Sequence, residues 1–467
     1  MHEDFLRIVT LFRQYQDTGE DNYKEQAETL LNEIIDNCNN CKDLSYYNGL
    51  CGIGSVIEYL IQNNFVEGEA DEILEDIDNA VISVINNRPQ MGINIKEGLL
   101  GLVCYLYERL HYRIKLENST VFTLKEHTIY LIDWLEDILS DTKAEINYYE
   151  FYFILILLHQ MDIFNVKVEK MLEYCDRMIE CQEHTVPEKI DKLRSYINIA
   201  NKYSYEELLK MTPHISIVIP LRIDSVDREA NLRCVLKYLL QFPYVHIELL
   251  EADKERRFFF NSHNRIQYTF VHDEENVFYR THYLNILLRR ALFPIVGIWD
   301  ADVIIPETQL LTAVRYIMEG NIMCFPYNGE FRYLDNKSSE RLRENIEALQ
   351  KNDGKLLMGK PSVGGAFLVN RDEYLKVGGE NEGFYGWGPE DVERVKRLEI
   401  LGMPIARTNG PLYHLFHERK PDIGIDNQKK TSHNQKMLFN TCAMDKSKLK
   451  RMISNHAGVF SYMNYIK

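Results

Sequence analysis

Phe293-Pro-Ile-Val-Gly-Ile-Trp-Asp-Ala-Asp-Val-Ile-Ile-Pro306 decides how the rest of the chain is read. Ile295 to Trp299 is a short apolar run of the kind that forms a buried strand, and it leads straight into Asp300-Ala-Asp302. Pro306 then precedes a helical pattern. In open α/β sheets ligands bind outside the carboxyl ends of the strands, and here two carboxylates stand there. Residues two apart in an extended chain point to the same side, so Asp300 and Asp302 can face one ligand. Two hard oxygen donors and a substrate diphosphate hold Mg²⁺ or Mn²⁺ without a full protein cage. Taken alone, the same Asp-x-Asp also reads as a pair of solvated acids capping a helix that starts near Glu307.

Outward from this stretch, β-type and helical segments alternate. His214 to Pro220 is a β-rich run, followed by a helix from about Arg228 to Phe242. Val245 to Leu250 is a second strand ending at Glu251-Ala-Asp253, and Ile266 to Val271 a third. Thr281 to Leu292 is the helix before the Asp-x-Asp strand. Ile322 to Phe325 and Val363 to Val369 follow as further strands, with a helical segment from Ser338 to Lys351 between them. This alternation predicts a mostly parallel α/β sheet.

Upstream the period is different. From Phe5 to about Leu209 the pattern is helical, including a helix over Val121 to Ile138, so a domain boundary is expected between 209 and 210. Gly49-Leu-Cys-Gly-Ile-Gly-Ser-Val-Ile-Glu-Tyr-Leu60 echoes Gly98-Leu-Leu-Gly-Leu-Val-Cys-Tyr-Leu-Tyr-Glu-Arg109, and a further equal step lands on apolar Asn147 to Leu158 without the glycines. A helical period near fifty predicts repeated helix pairs. The glycine-rich form resembles the repeats of lanthionine cyclases and related α/α-toroid proteins. Their zinc-binding Cys and His set has no match here, so the resemblance implies a helical module that packs on an enzyme or holds a peptide acceptor, with a purely structural helical domain as the alternative.

The whole chain narrows the classes further. Its 467 residues allow two or three domains, and 45% apolar with 27% charged residues is ordinary for a globular protein. A formal charge of −16 without a Lys/Arg block disfavours nucleic acid as a partner. Nine cysteines, an odd number, point to reduced thiols, and Cys38-Asn-Asn-Cys41 lacks a second ligand pair at zinc spacing. No secretion signal opens the sequence, and Phe151 to Leu158, its longest apolar stretch, is too short to span a bilayer. A cytoplasmic protein without a transmembrane segment is expected. Residues 431–467 read as a modestly basic helical tail.

Five stretches now line up: Ile219-Pro-Leu-Arg222, Phe278-Tyr-Arg-Thr-His-Tyr-Leu-Asn285, Asp300-Ala-Asp302, Gly364-Gly-Ala-Phe and Phe384-Tyr-Gly-Trp-Gly-Pro-Glu-Asp391. Their order and spacing resemble GT-A nucleotide-sugar transferases of the β-1,4-galactosyltransferase type, and the related chondroitin-polymerase and polypeptide N-acetylgalactosaminyltransferase branches. The resemblance spans His214 to about Arg419. It implies a GT-A domain over 210–430 that transfers a hexose or N-acetylhexosamine from a UDP-sugar, with Mn²⁺ or Mg²⁺, to a glycan or peptide hydroxyl.

The resemblance also distributes roles. Asp302 is implied as a metal ligand, with Asp300 near the ribose or the metal. Arg222 and Arg280 match nucleotide-holding positions, where a guanidinium grips phosphate bidentately. Glu251 or Asp253, at the end of its strand, can accept hydrogen bonds from uracil and ribose, or be a plain loop acid. Trp387 and Gly388 offer an aromatic face and a close backbone approach to the acceptor sugar. Glu390 and Asp391 sit in the first turn of a helix over 389–401, with Pro389 at its first position. Asp391 matches the general base of the inverting galactosyltransferase branch, and Glu390 its neighbour on the acceptor. The retaining branch carries Asn in place of Asp391, so inversion is expected. In Pro411-Leu-Tyr-His-Leu-Phe-His-Glu-Arg419, either His414 or His417 supplies an imidazole, which suits Mn²⁺. Two other classes remain: a catalytically silent sugar-binding scaffold, and a peptide-maturation protein whose helical domain holds the substrate.

Overall fold

The computed structural model describes residues 2–38, 41–141, 144–180, 197–198, 204–350, 352–384, 386, 388–418 and 425–455. The chain forms two compact units, Met1–Lys192 and Leu193–Lys467. The division falls before the expected 209/210. The reason is the helix Tyr205–Met211, which packs on the helix Glu307–Met318 of the second unit and ties Tyr205 to Glu307 through a 2.7 Å hydrogen bond. The side chain of Cys38, half of the Cys-x-x-Cys pair, lies outside the described residues.

The first unit is all helical over its described residues. Helices Leu50–Gln62, Leu99–Leu110 and Tyr148–Met161 begin at the spacing of the sequence echo. Gly49 and Gly98 cap the first two with near-identical dihedrals, φ −118°, ψ −167° and φ −116°, ψ −168°. Within those helices a Cβ on Gly52 would lie 2.0 Å from the Tyr46 carbonyl, and one on Gly101 2.5 Å from that of Ile95. Only hydrogen fits there. The third copy caps itself differently: the Asn147 side chain accepts from the Tyr149 and Glu150 amides, which removes the need for glycine. Wholly buried Arg109 joins the first two copies through Glu58 and Asp78, so its charge is paired rather than stranded. The helix read as Val121 to Ile138 runs Ser119–Leu139, started by the Asn118 cap.

Among its described residues the second unit has twelve strands: β1 (Ile197–Asn198), β2 (Ile215–Leu221), β3 (Val245–Asp253), β4 (Ile266–His272), β5 (Ile295–Trp299), β6 (Val303–Ile304), β7 (Met323–Phe325), β8 (Phe331–Tyr333), β9 (Lys355–Leu356), β10 (Ala366–Asn370), β11 (Ile405–Arg407) and β12 (Leu412–His414). The main sheet has the order β1-β11-β7-β10-β5-β2-β3-β4. All its pairings are parallel except those of β10, which runs against both β5 and β7. The expected mostly parallel α/β sheet is present. β2 and β5 are buried at every residue, as strands covered on both faces must be. The chain steps outward from β2 to β4 and returns on the other side at β5. That puts a topological switch point between β2 and β5, with Asp300 at its carboxyl end.

A second sheet, β6-β12-β8-β9, is small but positions the site. Its antiparallel β6–β12 pair sets His414 opposite Val303, and the Leu415 amide donates to the Asp302 carbonyl at 2.8 Å.

Several element bounds differ from those expected, among them the strand Val363 to Val369, which runs Ala366–Asn370. Pro389 caps the helix Glu390–Leu401 with φ −82°, ψ 34° instead of opening it. The segment read as Ser338 to Lys351 is a helix over Asn336–Glu344, capped by Asp335 and ended where Asn345 turns extended at φ −141°. The tail is not separate from residue 431: helix Ile425–Cys442 crosses that boundary, and it and helix Lys446–Asn455 pack on Glu390–Leu401. No helix among the described residues is long and apolar enough to cross a membrane.

Candidate active site

Asp302 leaves the turn after β5 almost fully buried, and two imidazoles converge on it. His414 Nε2 lies 3.4 Å from Oδ1 and His417 Nε2 3.3 Å from Oδ2. One ligand atom from each of the three falls within 4.8 Å of the others. One carboxylate and two imidazoles suit Mn²⁺ better than Mg²⁺, which prefers oxygen alone. Both histidines read from the sequence therefore belong to one cluster: β12 carries the first, and one further turn of chain the second. Burial raises the Asp302 carboxyl, but His414, His417 and Arg228 more than offset it and hold the group well below the usual carboxylate range. The hydrogen bond to Asp302 raises His417. A cavity of about 570 Å³, lined by Tyr333, Leu334, Phe416 and Glu418 together with both histidines, opens beside the cluster.

Asp300 faces a different partner. Arg280, at the start of helix Arg280–Arg290, donates from Nη2 to Asp300 Oδ1 at 2.6 Å. Its Nη1 lies 4.0 Å from Asp391 Oδ1 and, among the described residues, has no hydrogen-bond partner. Burial raises the Asp300 carboxyl, opposed by Arg280 and reinforced by Asp302 and Asp391.

Glu390 and Asp391 open the helix Glu390–Leu401, where the helix dipole favours negative charge. Burial, then the charge of Asp391, pushes Glu390 up to about 8. Its Oε2 has no hydrogen-bond partner among the described residues. Asp391 is the more exposed of the two and accepts from Arg394 Nη1 at 2.8 Å. Gly388 lies against Asn434 of helix Ile425–Cys442, and Trp387 lies outside the described residues.

The remaining sequence candidates sit at the strand ends but are engaged in holding loops. Arg222, after β2, donates to the Ala252 carbonyl at 2.8 Å, the Glu275 carbonyl at 3.0 Å and Asp273 at 2.6 Å. Glu251 is wholly buried and accepts from the Tyr268 hydroxyl and from the Arg257 and Phe258 amides. Asp253 caps the Lys254 amide at 2.8 Å and lies 3.4 Å from Arg257 Nε.

Two residues beside the site carry little or no signal in the sequence. Arg228 Nη1 stands 4.0 Å from Asp302 Oδ2, one turn into helix Val226–Leu239. A cation six residues beyond the Pro-Leu-Arg stretch was the available signal. Arg394 had none, since a basic residue on an acidic amphipathic helix ordinarily faces water.

Residues 349–420 match the family model described as the N-terminal domain of galactosyltransferase. The galactosyltransferase-like segment thus holds Gly364, Glu390, Asp391, His414 and His417. Among curated proteins, Beta-1,4-galactosyltransferase 4 of Cricetulus griseus is 32% identical over 71 residues, 14% of this chain and 21% of that protein. The chain therefore spans about a fifth of the length of the curated relative it matches. Solved structures similar to it include the catalytic domain of Drosophila beta1,4galactosyltransferase 7 with xylobiose, at 17% identity and TM-score 0.29, covering 48% of this chain and 80% of that one. Glucosyl-3-phosphoglycerate synthase from Mycobacterium tuberculosis with Mg²⁺ and UDP is 15% identical, with TM-score 0.32, covering 53% of this chain and 86% of that one. Likeness at that level says nothing of substrate.

Proposed function

We propose that this protein is a metal-dependent GT-A glycosyltransferase that moves a hexose or N-acetylhexosamine from a UDP-sugar to an acceptor hydroxyl with inversion. The reading rests on one observation: Arg280 stands between the Asp-x-Asp end of β5 and Asp391, so the candidate metal cluster and the candidate base lie close together around one guanidinium. The galactosyltransferase-like segment supports the donor class: it carries Glu390, Asp391, His414 and His417, while Asp300 and Asp302 lie upstream of it.

Asp302, His414 and His417 would hold the cation, which when bound neutralises charge on the departing diphosphate. Arg228 and the unpartnered Nη1 of Arg280 add positive charge where phosphate oxygens would lie. Arg222, Glu251 and Asp253 shape the nucleotide end of the cleft by fixing its loops. Asp391 accepts the acceptor proton as the hydroxyl oxygen bonds to the anomeric carbon and the bond to phosphate breaks, its electron pair leaving with UDP. Glu390, protonated at neutral pH, donates a hydrogen bond to the acceptor beside it.

The test is UDP release from UDP-galactose, UDP-glucose and their N-acetyl forms, with Mn²⁺ or with EDTA. Turnover that needs the metal, and that Asp302→Ala abolishes, is expected. Metal-independent turnover, or none with any of these donors, overturns the reading.

A further inference from the structure

The two oxygens of Asp391 have different surroundings. Oδ1 accepts from Arg394 Nη1 at 2.8 Å and has Arg280 Nη1 at 4.0 Å. The Arg394 guanidinium cannot drift. It is 1% exposed, lies 4.1 Å over the Phe367 ring, and donates from Nε and Nη2 to both oxygens of buried Glu380 at 2.9 and 2.7 Å. Glu380 is in turn fixed by the Tyr374 hydroxyl at 2.7 Å. A bidentate pair of this kind sets direction as well as charge.

Oδ2 looks the other way. It faces Gly364, where an added Cβ would stand 2.7 Å from Oδ2 and meet only atoms of Asp391. The Gly364 carbonyl accepts from the Tyr327 hydroxyl at 2.6 Å, so the backbone there is held in place. The charged and titratable groups around Asp391 are Arg394, Arg280, Glu390, Asp300 and Tyr327.

We propose that Arg394, anchored by Glu380 and Tyr374, is a positioning residue that pins Asp391 Oδ1, leaving Oδ2 to take the acceptor proton, and that Gly364 keeps Oδ2 reachable. This rests on the reading of Asp391 as the base. Gly364→Ala crowds Oδ2 while removing none of the charged groups, whereas Arg394→Met leaves Glu380 buried without its cation, and Arg394→Lys restores charge without the fork.

The experiment follows hydrolysis of whichever of the four UDP-hexoses wild type turns over fastest, in Mn²⁺, for kcat and KM, alongside melting temperature and Mn²⁺ affinity. Gly364→Ala should lower kcat by about 10²-fold with KM, Mn²⁺ affinity and melting temperature near wild type. Arg394→Met, which frees Oδ1 to turn, should lower kcat with KM and Mn²⁺ affinity near wild type, and Arg394→Lys should fall between it and wild type. Wild-type kcat in Gly364→Ala, or a loss in both Arg394 variants that falls on KM or Mn²⁺ affinity and not on kcat, overturns the proposal. Undiminished turnover in Asp391→Asn overturns the base reading beneath it instead.

Discussion

The Arg280 guanidinium donates to Asp300 at 2.6 Å, so the first acid of the Asp-x-Asp pair is held by an arginine and the second is left to the histidines. Two adjacent acids thus take unlike partners, and what each should do on substitution differs.

Asp302→Ala, His414→Ala and His417→Ala should each weaken Mn²⁺ binding by more than the roughly 10–100-fold loss typical of outer-shell changes. Asp300→Ala should weaken it less. Titration of the protein with Mn²⁺, followed by the spin resonance of the free ion, measures both. Equal loss at Asp300 and at Asp302 would put the two acids in one ligand set.

Asp391→Asn should bind UDP and Mn²⁺ as wild type does and lose about 10²–10⁴-fold in kcat. Calorimetry for binding and UDP release for turnover separate the two. Parallel loss of binding and turnover would make Asp391 a donor-binding residue.

Arg280→Met removes a cation from between Asp300 and Asp391. A charged hydrogen bond of this kind contributes about 1.5–3 kcal/mol, so melting should occur several degrees lower and UDP should bind more weakly. Unchanged UDP affinity would confine Arg280 to a structural part.

Glu390 gives a pH signature. Its carboxyl is raised to about 8 in the folded protein, so folding favours the protonated form. The stability it contributes is complete below its unfolded value, near 4.3, and is lost as pH rises through that value to about 8. Glu390→Gln carries no such proton. The melting temperature of the variant minus that of wild type should therefore climb between pH 5 and pH 8 and then level off. A difference that stays flat across that range contradicts a raised Glu390.

In the helical unit, Gly101→Ala would press a methyl against the Ile95 carbonyl, 2.5 Å from its Cβ. Overpacking costs about 1–3 kcal/mol, so faster proteolysis within Met1–Lys192 is expected, with Mn²⁺ affinity unchanged. Resistance equal to wild type would mean that the helices do not approach as closely as they do here.

Much of this was legible because it is local. Trp299 ending an apolar run, and acids two residues apart, announce a strand end without any knowledge of the partner strand. The forty-nine-residue echo was equally plain, and Gly49 and Gly98 adopt matching dihedrals. What escaped depends on pairing. That both His414 and His417 meet Asp302 follows from the β6–β12 register, carried by strands of two and three residues with too little periodicity to read. Arg222 looked like a phosphate grip, yet its donors go to Ala252, Asp273 and Glu275, which only the β2–β3–β4 alignment brings near. Pro389 lies one residue outside the helix that its sequence position suggests, since proline fixes φ but leaves ψ to its surroundings.

The single reversed strand of the main sheet has a topological consequence. A chain that runs against its neighbours enters where they leave, so residues leading into β10 arrive at the rim that carries Asp300, and the Asp300 amide donates to the Gly365 carbonyl at 2.9 Å. Were β10 turned round, five residues of strand would carry that glycine pair roughly 16 Å away, to the opposite rim. The direction of one short strand thus decides whether Gly364 can meet Asp391 at all.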